Sequence, residues 1–532
     1  MLLDHPNDPN GYADPGVSGP ALKRIEAARE TLQKVFGYDD FRGQQARVIA
    51  AILNGDNVLT ILPTGGGKSL CYQIPALMRP GFGLVISPLI ALMSDQVQAL
   101  KARGVRAERL DSSVSMNERM QLWDACRDGE IDLLYMSPEA LNQSFVLDKL
   151  SRLPVNLVAI DEAHCVSQWG HDFRPEYRAL GQLKGLFRDV PTLALTATAD
   201  LHTRGDIKKA LHIEDAVEII DSFDRPNLSL RLMKRTGSAQ KMILDMLRRQ
   251  KNASGIIYSG SRDGAEKLAR LLSAEGYKAD AYHAGLAPKL REDRLKDFLA
   301  DRTKIMVATI AFGMGINKPD VRFVIHADPP SSLEAYWQEV GRAGRDGKPA
   351  SGVCLYSSTD LGWSLRRLGM REGETGADLS IQKQKALDFF QFVHNPDCRR
   401  KGVRRYFGEA AGDDCGTCDN CLSRTRPVDA REAASILTSA LHRLNGPRGR
   451  KKLIEHVLGK NSQDYGARQT TFGIAAQKGY KADFLADVLD YCQALGLIAE
   501  EMYDGKMPII ALHDGDKVKA MWRGEIDISV RP

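Results

Sequence analysis

A chain of 532 residues is long enough for three or four domains. Its 43% hydrophobic and 27% charged content is that of an ordinary globular protein, and no run of about 18 uninterrupted apolar residues marks a membrane helix. A net charge of +5 permits a nucleic-acid partner without arguing for one, so any basic footprint must be local.

The chain opens without a basic end followed by an apolar core, so it does not read as a secretory signal. The nine cysteines are then expected as thiols or metal ligands rather than a disulfide frame. Residues 1–22 carry Pro6, Pro9, Pro15 and Pro20 among Gly, Asp and Asn and are expected to be a disordered tail, with helical patterning from about Ala21. Phe36-Gly-Tyr-Asp-Asp-Phe-Arg-Gly-Gln-Gln45 reads as a turn between two helices.

Val58-Leu-Thr-Ile-Leu62 predicts a strand, followed by Pro63-Thr-Gly-Gly-Gly-Lys-Ser69 and a helical run. Glycines let backbone N–H groups wrap phosphates, and the helix N-terminus adds partial positive charge. Thr64, Gly65, Gly66 and Gly67 would form the cradle, Lys68 would reach the β and γ phosphates, and Ser69 would hold Mg²⁺. A strict phosphate-loop pattern wants Gly where Leu62 stands, so only the shorter form is met.

The same grammar then repeats. Leu84–Ile86 ends at Ser87, Asp132–Met136 at Ser137, and Thr192–Leu195 at Thr196-Ala-Thr198. Strands separated by helix-length spacers predict a parallel sheet whose working edge lies at the strand carboxyl ends. Small hydroxyls there suit phosphate contacts or helix N-caps.

Leu157-Val-Ala-Ile160 predicts another buried strand. It delivers Asp161 and Glu162 to that edge, where one carboxylate can hold Mg²⁺ and the other orient water. Trp169, His171, Phe173 and Arg174 follow closely, with rings on which bases can stack. Read singly, the acids are a solvated pair and the rings are core. Their adjacency is what points to a coupled nucleotide and nucleic-acid site.

From about residue 222 the grammar restarts through Gly255–Tyr258, Tyr282–Gly285, Lys304–Thr309 and Arg322–His326. This second lobe, 222–360, has no phosphate loop. It carries Gln338-Glu-Val-Gly-Arg-Ala-Gly-Arg-Asp346 instead, and the three-residue spacing predicts Arg342 and Arg345 on one helix face, as a solvated pair or a working one.

Residues 364–397 read as helices with Leu387, Phe390 and Val393 on one face. Cys398, Cys415, Cys418 and Cys421 suit a closed tetrahedral thiolate site, hence structural Zn²⁺, with thiol redox or an iron–sulfur cluster as alternatives. Arg399, Arg400, Lys401, Arg404 and Arg405 between them are either a solvated face or a phosphate contact. This module spans 361–426. Residues 427–532 show three helical stripes, at Ala433–Leu444, Leu453–Leu458 and Phe484–Cys492. A hairpin follows about Asp504-Gly505, read as a two-residue turn with Tyr503 beside it.

The stretch Asp161-Glu-Ala-His-Cys-Val-Ser-Gln-Trp-Gly-His-Asp-Phe-Arg-Pro-Glu-Tyr177 resembles motif II plus the aromatic-rich loop of the RecQ family of DNA helicases, and matches run from about Leu32 to Leu512. The resemblance implies two RecA-like α/β lobes, at 23–221 and 222–360, then a helical zinc module and a winged-helix domain. It implies that Tyr38, Arg42 and Gln45 read adenine, although the family usually carries Pro-Gly where this chain has Gly43-Gln44. It further implies that Arg345 is an arginine finger, that Arg342 contacts phosphate or couples the lobes, and that His164 and Gln338 link nucleotide state to the aromatic loop. Tyr503 becomes a candidate wedge at the duplex end.

ATP, Mg²⁺ and structural Zn²⁺ are the implied cofactors. Single-stranded DNA and forked or partial duplex are the implied partners, with 3′→5′ movement and a place in repair or recombination. The expected location is the nucleoid in a bacterium or the nucleus in a eukaryote. Some relatives continue into a further helical domain, which is not expected in the residues up to Pro532. The competing readings are an ATP-switched clamp or annealing factor and, less favoured, an RNA helicase.

Overall fold

Apolar runs that stop at an acid or a small hydroxyl build the first sheet. Its strands are β1 (Val58–Ile61), β2 (Phe82–Ile86), β3 (Ala107–Leu110), β4 (Leu133–Met136), β5 (Val155–Ile160), β6 (Thr192–Thr196) and β7 (Val217–Ile220). They run parallel in the order β3-β4-β2-β5-β6-β1-β7. The interior strands are buried along their whole length, whereas the edges β3 and β7 are only partly covered. Helices on both faces explain the unbroken apolar runs. Alternate side chains enter opposite cores: Leu59 and Ile61 pack in one, Val58 and Leu62 in the other.

The computed structural model describes residues 19–531, apart from 64, 112–113, 142–143, 171, 251, 314–315, 317, 371–375, 445–447, 461–468 and 505–506. Residues 1–18 of the expected tail therefore lie outside the described residues. Its last residues are helical, because the first helix runs Gly19–Thr31. No described helix is long and apolar enough to cross a membrane.

The strands of the second sheet are β8 (Leu228–Lys234), β9 (Ser254–Tyr258), β10 (Ala279–Tyr282), β11 (Ile305–Ala308), β12 (Val321–His326) and β13 (Ala350–Tyr356). They too run parallel, in the order β10-β11-β9-β12-β13-β8. Tyr282 closes β10 rather than opening a strand, so Tyr282–Gly285 marks the exit from the sheet.

The last hundred residues hold the three predicted helices, at Arg431–Arg443, Arg450–Val457 and Ala482–Ala494. Strand β14 (Val428–Asp429) pairs antiparallel with β17 (Ser529–Val530), and β15 (Ile498–Tyr503) with β16 (Met507–Leu512). The register pairs Tyr503 with Met507, so three residues link β15 to β16, not two. Asp504 takes a left-handed φ of 50°, a conformation that Asp tolerates, while Gly505 lies outside the described residues. An unforeseen helix, Gly515–Trp522, is capped by Asp514, which accepts from the N–H groups of Asp516 and Lys517. It buries Val518 and Met521, and Trp522 Nε1 donates to Thr438 Oγ1 at 2.9 Å.

Candidate functional site: an interlobe cleft and its nucleic-acid edge

Strand order decides what meets. Because β6 lies between β1 and β5, the loop after β1 and the acids after β5 come to either side of Thr196. Leu62 N–H donates to Thr196 O at 3.1 Å, and Asp161 N–H to Ile86 O at 2.8 Å, so both exits are held to the sheet. Gly65 and Gly67 have φ of +86° and +68°, which a side chain would strain. A Cβ on Gly67 would also lie 2.4 Å from Gln45 Nε2. Thr64 lies outside the described residues.

Gln45 joins the turn at residues 36–45 to this loop. Its amide nitrogen donates to Gly66 O at 2.9 Å and Gly67 O at 3.2 Å, while its carbonyl accepts from Arg42 N–H at 2.9 Å. Gly43 has φ +51°, and a Cβ there would lie 2.5 Å from the Asp221 carboxylate. Proline, locked near −65°, does not fit that backbone. The departure at Gly43-Gln44 thus matches a local conformation that this chain adopts. Tyr38 is exposed at the mouth.

Tyr38, Arg42, Gln45, Gly65 to Ser69, Asp161, Glu162, Gln338, Arg342 and Arg345 all line one cleft of about 340 Å³. Leu92, Gln96 and Ile316 line it too, and no motif in the sequence marks them. Burial pushes the Asp161 carboxyl up to about 7; adjacent Glu162 adds to this and Lys68 opposes it. Glu162 has φ 47°, a left-handed conformation that costs a non-glycine residue about 1–3 kcal/mol. Its Oε2 lies 3.4 Å from Nδ1 of buried His164, which is also 2.9 Å from Thr196 Oγ1. The Thr196 hydroxyl donates its one hydrogen to Thr198 O at 3.2 Å, so His164 Nδ1–H is the donor to Thr196.

The second lobe contributes a turn where a helix was expected. The helix Leu333–Val340 ends before both arginines, and Arg342 and Arg345 lie in the turn that follows. Gly344, at φ +63°, donates its N–H to Val321 O at 2.8 Å and takes the chain out of helical geometry. The side-by-side helical spacing therefore does not apply, yet both arginines reach the cleft. A Cβ on Gly65 would lie 3.3 Å from Arg345 Cγ, so this side chain crosses the glycine turn of the other lobe. Arg345 Nη1 donates to Ile316 O at 2.7 Å. Burial, then neighbouring Arg342 and Arg225, lower the Arg345 guanidinium to about 9. The site pays to keep a positive charge where phosphate oxygens would lie.

The aromatic stretch lies beside the acids. Trp169 stacks on His202 with centroids 5.1 Å apart and planes 22° apart. Arg178 sits over the Phe173 ring at 5.7 Å. Arg174 donates to Pro88 O at 3.2 Å and pairs with Asp172 at 3.1 Å, which ties the loop to the end of β2. His171 lies outside the described residues. Ser87 and Thr198, at other strand ends, have buried hydroxyl oxygens with no partner among the described residues.

The sulfurs of Cys398, Cys415, Cys418 and Cys421 all lie within 4.8 Å of one another. Ligands about 2.3 Å from a tetrahedral ion would stand in this relation. Backbone N–H groups already point at them: Arg399 and Cys421 at Cys418 Sγ, both 3.4 Å, and Cys415 at Cys398 Sγ, 3.3 Å. Such donors stabilise thiolates, so the residues fit Zn²⁺. Cys418→Ser is expected to lower bound zinc and soluble yield. Metal analysis of the purified variant checks this, and parental zinc content would refute it.

Each member of the basic run beside the cysteines has an acidic partner. Arg399 pairs with Asp419, Arg400 with Asp224, Lys401 with Asp414, Arg404 with Glu409 and Arg405 with Asp397. Arg399 is buried beside its partner, whereas Arg405 and Asp397 pair at the surface, 53% and 49% exposed. At the hairpin tip, Tyr503 is 53% exposed, with Met507 at 59% beside it. Glu500, behind the tip, pairs with Arg366.

Three family models cover most of the chain: DEAD/DEAH box helicase over 42–207, helicase conserved C-terminal domain over 238–347, and RecQ zinc-binding over 364–422. The ATP-dependent DNA helicase RecQ of Haemophilus influenzae is 42% identical over 469 residues, 87% of this chain and 75% of its own length. The ATP-dependent DNA helicase RecQ of Bacillus subtilis is 35% identical over 514 residues, 95% of this chain and 85% of its own. Among solved structures, the DUF1998 helicase MrfA bound to DNA superposes with a TM-score of 0.53 at 18% identity, over 74% of this chain and 59% of that one. Saccharomyces cerevisiae Dbp5 bound to RNA and ADP BeF3 gives 0.50 at 18% identity, over 70% and 98%. These two likenesses speak to the fold alone.

Proposed function

The chain belongs to the RecQ family of DNA helicases, and from that premise we propose that it hydrolyses ATP between its lobes to move 3′→5′ along single-stranded DNA. It separates the strands of a forked or partial duplex as it goes. The observation that carries the reading is Arg345 lying across Gly65, which joins one lobe's arginine to the other lobe's phosphate turn.

In this reading the backbone N–H groups of Gly65 to Gly67 and the Lys68 ammonium hold the β and γ phosphates. Tyr38 stacks on the adenine, and Arg42 and Gln45 select it. Ser69 and Asp161 hold Mg²⁺, which neutralises charge on the phosphates; the raised Asp161 carboxyl is a group whose ionised form such a cation would favour. Glu162 accepts a proton from the attacking water. Arg345, with Arg342 beside it, meets the charge that develops on the transferred phosphoryl group. His164, bonded to Thr196, passes the state of the acids towards the aromatic loop, and Gln338 does so from the second lobe.

Each closure of the cleft shifts one lobe along the strand. Duplex resists by about 1.4 kcal/mol per base-pair step, a small load for one nucleotide turnover. The zinc module and a winged helix at 427–532 hold the duplex where it splits, with Tyr503 as the wedge. Repair or recombination is the setting in which such an activity is used.

A forked-duplex displacement assay tests the proposal. Strand release with ATP and none with a non-hydrolysable analogue is the expected result. Equal effects of both nucleotides would favour the ATP-switched clamp, and release of RNA but not DNA strands would favour an RNA helicase. Trp169→Ala is expected to weaken DNA binding by roughly 5- to 150-fold, the equivalent of about 1–3 kcal/mol for one stacked base. The ratio of DNA-stimulated to basal ATPase falls with it. An unchanged ratio would mean that the ring only packs on His202.

A further inference from the structure

The chain passes from the first sheet to the second through Asp221-Ser-Phe-Asp-Arg-Pro-Asn227. Arg225 in this linker grips the turn that bears the cleft arginines. Its Nη1 donates to Gly341 O at 3.3 Å, and its Nη2 to Ala343 O at 2.8 Å and Gly344 O at 3.2 Å. Asn227 Nδ2 adds Gly344 O at 2.8 Å and Lys348 O at 2.9 Å. A guanidinium presents its donors in a rigid plane, so carbonyls bound to one fork are fixed relative to one another. The turn held in this way is the one that carries Arg345 across to Gly65.

The linker is itself braced. Ser222 Oγ donates to Glu409 Oε1 at 2.7 Å, and Phe223 N–H to Glu409 Oε2 at 3.0 Å. The Phe223 ring stacks on Phe407, with centroids 4.2 Å apart and planes 5° apart. Asp224 pairs with Arg400. Phe407 O accepts from Arg204 Nη2 of the first lobe at 2.5 Å. A contiguous path of packed and hydrogen-bonded groups therefore runs from the first lobe and the zinc module, through the linker, to the arginine turn.

We propose that Arg225 is a positioning residue for Arg345: from a linker braced by the zinc module, it holds the 341–345 turn so that the Arg345 side chain meets the phosphate site. The inference rests on the reading of Arg345 as the group that meets transferred charge. Arg225 touches no reacting atom in this account. It acts by setting where another guanidinium stands, and a misplacement of about 1 Å at such a site costs about 100-fold in rate.

The test is ATP hydrolysis by the full chain at saturating single-stranded DNA, for Arg225→Ala, Arg345→Ala and the double variant. Arg225→Ala is expected to lower kcat about 100-fold with little change in KM for ATP. Added to Arg345→Ala it is expected to lower kcat no further, because the group it positions is gone. A purely structural loss would instead reduce both backgrounds by the same factor, and that result would overturn the inference. So would a parental kcat in Arg225→Ala. A parental kcat in Arg345→Ala would instead sink the arginine-finger reading on which the inference stands. Arg225→Lys, which keeps the charge but not the fork, is the second variant should the alanine form fail to fold. A kcat loss that vanishes on the Arg345→Ala background is expected, and full activity would overturn the proposal.

Discussion

Lys68→Ala is expected to abolish ATP turnover while leaving DNA binding largely intact. Lys68 follows the glycine turn immediately and lines the cleft opposite Asp161. Two losses coincide in the variant. The phosphates lose a preorganised cation, and removal of one such group costs about 10²–10³-fold in kcat. Asp161 also loses the positive neighbour that opposes the upward shift of its carboxyl, so its ionised form becomes harder to keep and cation binding weakens. The aromatic loop does not depend on this side chain, since Trp169 is held by His202 and Arg174 by Pro88 and Asp172. Phosphate release with and without DNA, together with fluorescence anisotropy on labelled single strands, reads both arms. Unchanged turnover would remove the phosphate-loop assignment.

Arg345→Ala is expected to lower kcat by roughly 10³–10⁵-fold, the range for loss of an arginine finger. Nucleotide affinity should change far less, because the glycine cradle, Lys68 and the turn that brings Tyr38, Arg42 and Gln45 to the cleft all belong to the other lobe. Arg345→Lys should not restore activity: an ammonium is a point donor and cannot reproduce the planar fork. Stability is expected to hold or rise slightly, since the substitution removes a guanidinium whose pKa burial, then neighbouring Arg342 and Arg225, lower to about 9. Single-turnover hydrolysis, nucleotide affinity by fluorescence and thermal melting separate these effects. A kcat within tenfold of the parent would mean that the contact with Gly65 is only packing.

Most of the candidate site was legible from local pattern. Glycines ahead of Lys68, acids at the end of an apolar run, and cysteines in overlapping Cys-x-x-Cys spacing each announce themselves within a few residues. Where local readings went astray, tertiary contacts were the reason. Arg342 and Arg345 look helical by spacing, but Gly344 takes a left-handed φ and hydrogen-bonds to β12. The hairpin turn looks like two residues, but its length was set by register along the whole of β15 and β16. The basic run at Arg399–Arg405 reads as a solvated face or a phosphate contact, and only the tertiary structure sets an acid beside each member, at 224, 397, 409, 414 and 419.

The sequence by itself determined which chemistry this protein carries: strand-sized apolar runs, the groups at their ends, and a set of metal-competent thiols. Such features depend on backbone preferences and side-chain periodicity, which are properties of neighbours along the chain. Only the tertiary structure decided which charges meet. Arg345 against Gly65, Arg225 on the carbonyls of 341–344 and Asp224 on Arg400 join residues far apart in the chain. Pairings of that kind leave no mark on local composition, because each arginine or aspartate alone looks like an ordinary solvated charge. They come into being when the order of strands in two sheets, and the packing of the zinc module over the linker, bring those charges within reach.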